Sequence, residues 1–351
     1  MKTPITFLWV AAVAALVVFA GCETKQDSAG DGGAKSAADT MAEIKSRGFL
    51  QCGVNSELPG FGFVDSAGKF SGFDVDFCRA VAAAMGVDVK FRALTAKERF
   101  PALQSGEVDL LVRNTTWTMS RDTKLGLDFA ATTYYDGQGF MVRGSMRVRN
   151  AARLNGASVC LTTGTTTELN VADYFRARGM KYKPVLFEKA EDARKAYEAG
   201  RCDVHTSDAS QLASLRTATQ NPAGHVILPE IISKEPLGPL VRHGDNRWAD
   251  AVRWVVNVII TAEEKGITQS SVASAAQNSK DPEVQRMLGA SGTLGAAAGL
   301  PADFAVRAIA AVGNYGEIFE RNIGKNTPLK LERGLNQLWN KGGILYSPPI
   351  R

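Results

Sequence analysis

Between Arg113 and Arg121 the chain gathers two guanidiniums, an amide, an indole and several hydroxyls in one run, Arg-Asn-Thr-Thr-Trp-Thr-Met-Ser-Arg. Buried together, each of these groups would need a polar partner, so the run makes a poor core segment. At the end of a strand it makes a recognition loop. The guanidinium of Arg121 is a planar fork that matches a carboxylate. Asn114, Thr116 and Thr118 alternate, and in extended backbone they project to one side. The chemistry on offer is capture of a small ligand's carboxylate. A solvated turn with scattered threonines is the competing reading.

Two later groups suit the same ligand. Thr165-Thr166-Thr167-Glu168 has the form of a capping box, with Thr165 as N-cap. Gly164 before it lets a ligand approach the backbone, and free N–H groups at a helix start favour a carboxylate. A helix cap with no ligand has the same pattern. Asp208 supplies a negative charge. Arg121 and the helix end on one side, with Asp208 on the other, are complementary to a zwitterion, as found at the α-carbon of an amino acid.

The surrounding elements have to bring these groups together. Phe49 to Val54 reads as a strand and Asn55 to Gly72 as a Gly-rich loop. Phe73 to Met85 reads as a helix, with Phe73, Phe77, Ala80, Val81 and Ala84 near helical spacing and Gly86 as its cap. Val87 to Arg92 is a strand, Arg99 to Ser105 a short helix, and Val108 to Val112 a buried strand that runs into the polar loop. This β-α-β-α-β alternation predicts a mostly parallel sheet. The order recurs with strands at Ala157 to Thr162, Lys183 to Phe187 and Cys202 to Thr206, and helices at Thr165 to Gly179 and Ala190 to Ala199.

The recurrence extends to residues. Ala102 to Asp109 aligns with Ala196 to Asp203, which sets Asn114 opposite Asp208, and Gln51-Cys52 aligns with Val159-Cys160. Two α/β lobes leave a cleft, with ligands beyond the carboxyl ends of the strands. The first lobe puts Asn114, Thr116 and Arg121 there; the second puts Thr162 to Thr166 and Asp208 there. Further on, Leu212 to Thr217 and Trp248 to Ala262 read as helices, Val226 to Leu228 as a strand, and Pro229 to Pro239 as a crossover back to the first lobe. Ala290 to Leu300 reads as a loop, and Pro301 to Arg351 holds two more amphipathic helices.

Composition narrows the function classes. The 351 residues are 45% hydrophobic and 22% charged, as in globular proteins. The net charge of +5, from 41 Lys+Arg and 36 Asp+Glu, comes with no basic block, so nucleic-acid binding has no support. Lys2 and the apolar run Ile5 to Ala20 form an export signal. Phe19-Ala20-Gly21-Cys22 resembles a lipobox, with Cys22 as the lipidated first mature residue; an ordinary signal peptide cleaved nearby is the alternative. Glu23 to Asp39 has linker composition.

Of five cysteines, Cys52, Cys78, Cys160 and Cys202 remain once Cys22 is set aside. Three pairings are open. Cys52–Cys78 with Cys160–Cys202 keeps each bridge inside one lobe, worth about 3.5 and about 4 kcal/mol by loop closure. His205, His225 and His243 have no metal-ligand spacing, so no metal or other cofactor is expected.

The strings Gln51 to Asn55, Gly72 to Cys78, Lys97 to Phe100, Arg113 to Thr118, Tyr134 to Phe140, Gly164 to Glu168, Ile231 to Pro239 and Asn314 to Arg321 together carry a specific resemblance. The chain from about Met41 onward resembles the extracellular solute-binding proteins, family 3, of polar amino acid ABC transporters, in particular the periplasmic component of general L-amino acid transporters. The resemblance implies an α/β, two-lobed type II periplasmic binding protein fold, with crossovers near Tyr135 to Val142 and Pro229 to Pro239. It implies that Arg121 binds the α-carboxylate and Asp208 the α-ammonium. Asn114, Thr116 and Thr165 add hydrogen bonds, and Arg99 reaches the side chain of acidic ligands.

The expected organisation is a signal peptide (1–22), linker (23–40), first lobe (41–138), second lobe (139–230), return to the first lobe (231–270) and a helical extension (271–351). The expected partners are an L-amino acid, a membrane permease, and the membrane through lipidated Cys22. The lipobox departs from the usual soluble periplasmic form and suggests a tethered receptor. An enzyme on the same fold, a dehydratase or wall-cleaving lyase, and an amino-acid-sensing module are the competing classes. No catalytic residue is singled out.

Overall fold

The structure is a computed structural model that describes residues 39–351. The expected signal peptide, Cys22 and nearly all of the linker lie outside the described residues.

Two five-stranded sheets carry the fold. In the first, Phe49–Val54 lies between Asp88–Ala93 and Leu110–Leu111, all parallel. Leu240–Arg242 then runs antiparallel between Leu110–Leu111 and Leu127–Phe129. In the second, Ser158–Thr162 lies between Lys183–Phe187 and Val204–Asp208, again parallel. Gln138–Arg143 runs antiparallel between Val204–Asp208 and His225–Ile227. Each sheet is thus a parallel trio, then a strand delivered by a crossover, then an edge strand. This is the two-lobed type II order.

Both trios use the same brace. Asp109 accepts the Gln51 N–H at 2.8 Å and returns its own N–H to the Gln51 carbonyl at 2.9 Å. Asp203 does the same with Ser158, at 2.8 and 2.9 Å. The brace supports the alignment of Asp109 with Asp203 but corrects the other one. In strand register Cys52 faces Leu110, while Val159 faces Val204. Gln51-Cys52 therefore corresponds to Ser158-Val159, one residue earlier than the sequence alignment placed it. A one-residue slip sends a strand side chain to the opposite face, so the two bridges are not equivalent. Cys52 joins Cys78 on the Phe73–Met85 helix, and Cys160 joins Cys202 just before the Val204–Asp208 strand.

The crossovers meet as a ribbon, with Tyr134–Asp136 antiparallel to Glu235–Leu237. Neither ribbon edge is bare. Along one, Thr116 bridges to Leu237 and the Trp117 N–H donates to the Pro236 carbonyl at 2.8 Å. Along the other, the Asn336 amide accepts the Tyr135 N–H at 2.7 Å and donates to the Tyr135 carbonyl at 3.0 Å.

The C-terminal helices complete the first lobe's core. The Asn246–Glu264 helix is longer than expected at both ends, and at its start the Asp245 carboxylate caps it by accepting the Trp248 N–H. Phe304–Val312 and Tyr315–Asn322 pack with the Phe73–Met85 helix. There Phe73 meets Phe77, Tyr134 and Tyr315 edge to face, a favoured aromatic geometry. The Ala290 to Leu300 stretch, expected as a loop, contains one helical turn, Leu294–Ala297, in line with its alanines. Among the described residues no helix is long and apolar enough to cross a membrane.

Gly72 opens the Phe73–Met85 helix with φ 133° and ψ 170°, a region essentially closed to other residues. A Cβ there would stand 2.3 Å from the Phe61 carbonyl oxygen. Gly72→Ala should lower unfolding free energy by about 3 kcal/mol or more, read as an earlier urea midpoint at unchanged slope.

Candidate ligand-binding cleft

The polar loop leaves Leu110–Leu111 at its carboxyl end, as a cleft requires. Arg113 is buried and its Nε donates to the Leu94 carbonyl at 2.7 Å. Asn114 adopts φ 29°, in the left-handed region. What holds it there is Asp74, whose buried carboxylate accepts the Asn114 N–H at 2.6 Å. Asp74 sits in the first turn of the Phe73–Met85 helix. Burial outweighs that bond and the nearby Arg113 charge, and pushes the Asp74 carboxyl up to about 7.

Asn114 and Thr116 line the cleft as expected, but Thr118 does not. The backbone turns there into the Met119–Lys124 helix, and Thr118 caps it by accepting the Arg121 N–H at 3.2 Å. For Thr118 the ordinary local reading holds. Arg121 is buried on that helix, and its Nη1 donates to the Thr116 carbonyl at 2.9 Å. It stands behind the cavity wall. Burial lowers its pKa, opposed by the charges of Glu235 and Asp208. Arg99 reaches the wall itself. It is 2% exposed, donates to Thr115 Oγ1 at 3.3 Å and to the Gly164 carbonyl at 3.4 Å, and leaves Nε without a partner. Burial, with Arg121 and Arg113 nearby, holds its pKa well below the usual range.

In the second lobe the expected capping box does not form. The Thr165 hydroxyl turns back to donate to the Thr162 carbonyl at 2.7 Å and meets Thr167 Oγ1 at 2.7 Å. No side chain caps the Thr166–Ala177 helix, so its first N–H groups remain available to an anion. Asp208 ends the Val204–Asp208 strand and is 5% exposed, which excludes a surface-turn role. Its Oδ1 has no hydrogen-bond partner. Burial pushes its pKa well up, reinforced by Asp136 and Glu235 and opposed by Arg121 and Arg99.

Arg99, Asn114, Thr116, Thr165, Asp208 and Gln211 converge on one cavity of about 20 Å³. The lobes are closed around it: Asn114 Nδ2 donates to Gln211 Oε1 at 3.2 Å, and Ser214 Oγ to the Pro59 carbonyl at 2.7 Å. A space of that size holds about one water, so a larger ligand enters only as the lobes part. The cleft continues outward into about 260 Å³ between Asn55–Leu58 and Glu188–Ala190.

Glu235 was not foreseen as a site residue. On the Glu235–Leu237 ribbon strand it is 1% exposed and accepts from Thr116, Thr166, Asn170 and Ser233. Its only sequence signal was its place in the Ile231 to Pro239 string. Three dispersed elements also bring Asp122, Asp128 and His243 together, with ligand atoms within 4.8 Å of one another. Sequence spacing could not show this. His243 Nε2 lies 3.1 Å from Asp128 Oδ1 on a half-exposed surface, a closeness that needs no metal to explain it.

A buried carboxylate with an unpaired oxygen that lines one cavity with the buried Arg99, between two matched lobes, fits the family resemblance, and direct comparison decides it. Residues 50–268 match the bacterial extracellular solute-binding proteins, family 3. The chain belongs to that family. The general L-amino acid-binding periplasmic protein of Rhizobium johnstonii is 55% identical over 325 residues, 91% of this chain and 95% of that protein. The glutamate/glutamine/aspartate/asparagine-binding protein of Rhodobacter capsulatus is 54% identical over 319 residues, 90% of this chain and 94% of that one. An ABC transporter periplasmic binding protein from Brucella ovis, solved with glutathione bound, superposes with a TM-score of 0.87 at 57% identity. It covers 90% of this chain and 100% of that one.

The Asp74 geometry gives this family member a testable pH dependence. Its folded value of about 7 lies above the ordinary 3.8, so between the two the folded chain keeps a proton that the unfolded chain has lost. Stability then falls as pH rises through that interval. His205, held down to about 4 from 6.5 by burial, contributes the opposite slope over its own interval. Asp74→Asn removes only the first contribution. Relative to wild type, the variant should gain about 3 kcal/mol between roughly pH 4.5 and pH 8. Urea titrations at both pH values test this, and a pH-independent difference would contradict it.

Proposed function

We propose that the chain is the substrate-binding component of an ABC transporter for L-amino acids, capturing a free amino acid between its lobes and presenting it to a membrane permease. The observation that carries this is Asp208: a buried carboxylate with an unpaired oxygen, lining the cavity that Arg99 also lines, with Arg121 just behind. That arrangement suits an ammonium and a carboxylate on one carbon. Two relatives are named for L-amino acids or for glutamate, glutamine, aspartate and asparagine, which supports a ligand held by its shared α-groups.

In the proposed cycle the open lobes take the carboxylate at Arg121, and the uncapped end of the Thr166–Ala177 helix joins it on closure. Closure then brings Asp208 to the ammonium, while Asn114, Thr116 and Thr165 add hydrogen bonds. Closing removes water from every ion, so each charge has to find a partner. Side chains extend outward, and Arg99, on the inner cavity wall, would meet an acidic one as it leaves that cavity. The outer 260 Å³ leaves room for varied side chains, hence broad specificity. Cys22, as a lipidated residue, would tether the receptor to the membrane beside its permease.

Arg121→Ala should abolish binding, at a cost of about 3–5 kcal/mol, because it strands a buried carboxylate. Calorimetry that found unchanged affinity would remove Arg121 from the site. Asp208→Asn should weaken all amino acids alike; a loss confined to one would count against its pairing with the ammonium. A thermal-shift screen of twenty L-amino acids checks the class itself. A ligand at a hundredfold excess over its dissociation constant adds about 2.7 kcal/mol. No shift with any, together with turnover of a cyclohexadienyl acid or peptidoglycan, would favour an enzyme.

A further inference from the structure

Glu235 stands behind the cavity wall, yet it decides which way the wall's hydroxyls point. Its Oε2 accepts from Thr116 Oγ1 at 2.5 Å and from Thr166 Oγ1 at 2.9 Å. Its Oε1 accepts from Asn170 Nδ2 at 2.7 Å and from Ser233 Oγ at 2.6 Å. Four donors saturate one carboxylate that is 1% exposed. A hydroxyl has a single proton to give. Both threonines have spent theirs on Glu235, so only lone pairs remain to face the cavity, with the two oxygens 3.5 Å apart. On the same cavity lies the unpartnered Oδ1 of Asp208.

We propose that Glu235 is a positioning and specificity residue that commits the Thr116 and Thr166 hydroxyls to act as acceptors for the ligand's α-ammonium. This rests on the amino-acid reading of the cleft. Thr116 comes from the first lobe and Thr166 from the second, so the acceptor pair exists only when the lobes are closed on Glu235. Ammonium recognition and closure are therefore one event. An α-keto acid, although it keeps the carboxylate and side chain, has no proton to give these acceptors, and an α-hydroxy acid has one where the ammonium has three and brings no charge to meet Asp208.

Glu235→Gln tests the assignment. Asn170 needs an oxygen on its own side, so the new amide turns its NH₂ toward the threonines. That NH₂ donates to them and forces their protons into the cavity. The probes are L-glutamate and its 2-hydroxy analogue, titrated by calorimetry into the exported chain. Wild type should prefer the amino acid by about a hundredfold, and Glu235→Gln should weaken L-glutamate by about tenfold or more while changing the hydroxy acid by less than about threefold. In a Thr116→Val, Thr166→Val background the same substitution should leave the amino-to-hydroxy ratio unchanged, because the groups it acts through are gone.

Equal loss for both probes in Glu235→Gln would mean a merely structural carboxylate and would overturn the proposal. So would an undiminished preference, or a full effect in the valine background. If wild type binds neither L-glutamate nor any other of the twenty amino acids, the amino-acid reading itself fails, and the proposal with it.

Discussion

The constraint on which the structure depends is charge balance in a layer from which water has been removed. In the closed arrangement three guanidiniums, of Arg99, Arg113 and Arg121, and three carboxylates, of Asp74, Asp208 and Glu235, are buried. No single salt bridge pairs them. Arg99, Arg113, Arg121, Asp74 and Glu235 are held instead by neutral donors or carbonyls, Asp208 Oδ1 is left unpaired, and the ions feel one another through space. Ions that have lost water are tolerated only when the field around them sums to little. A zwitterion adds one charge of each sign and leaves that sum unchanged. A ligand with a net α-charge would not, which gives a physical reason why this layer suits amino acids as a class.

The same layer is continuous with the hinge. The Thr115 to Trp117 backbone runs along Pro236 to Gly238 with strand-type hydrogen bonds, and Glu235 opens that strand. The loop that lines the cleft is thus an added strand of the crossover ribbon. Movement of the lobes displaces the recognition groups directly, without intermediate elements. Asp74 has a comparable place: it belongs to a helix whose aromatic face is packed against the C-terminal helices, and its carboxylate fixes the backbone of Asn114.

Much of this was legible in the sequence, for reasons that can be named. Hydrophobic periods and glycine stops located the sheets. The match of Gly106 to Asp109 with Gly200 to Asp203 paired Asn114 with Asp208, because the same aspartate brace serves both sheets. Where reading failed, one residue type served two local physics. Alternation set Thr118 on the same side as Asn114 and Thr116, but it belongs to a helix cap, a role threonine performs equally well. Thr165 and Glu168 formed a capping pattern that the fold does not use, because the Thr165 hydroxyl finds the Thr162 carbonyl first. The cysteine alignment erred by one residue, since a shared letter at a strand centre carries no information about register. Glu235 was the main omission. Its meaning lies in four donors from three separated segments, and no spacing rule reaches across them.

The amide of Asn336 has a consequence beyond the first lobe's packing. It accepts from and donates to Tyr135 as a neighbouring strand would, so the far C-terminus closes the last open edge of the hinge ribbon. Open β edges are the places where polypeptides recruit foreign strands. In this chain the Asn336 amide already holds the Tyr135 backbone groups that a foreign strand would bind. The C-terminal extension thereby supplies, by a side chain, the pairing that leaves this ribbon no free edge to recruit one.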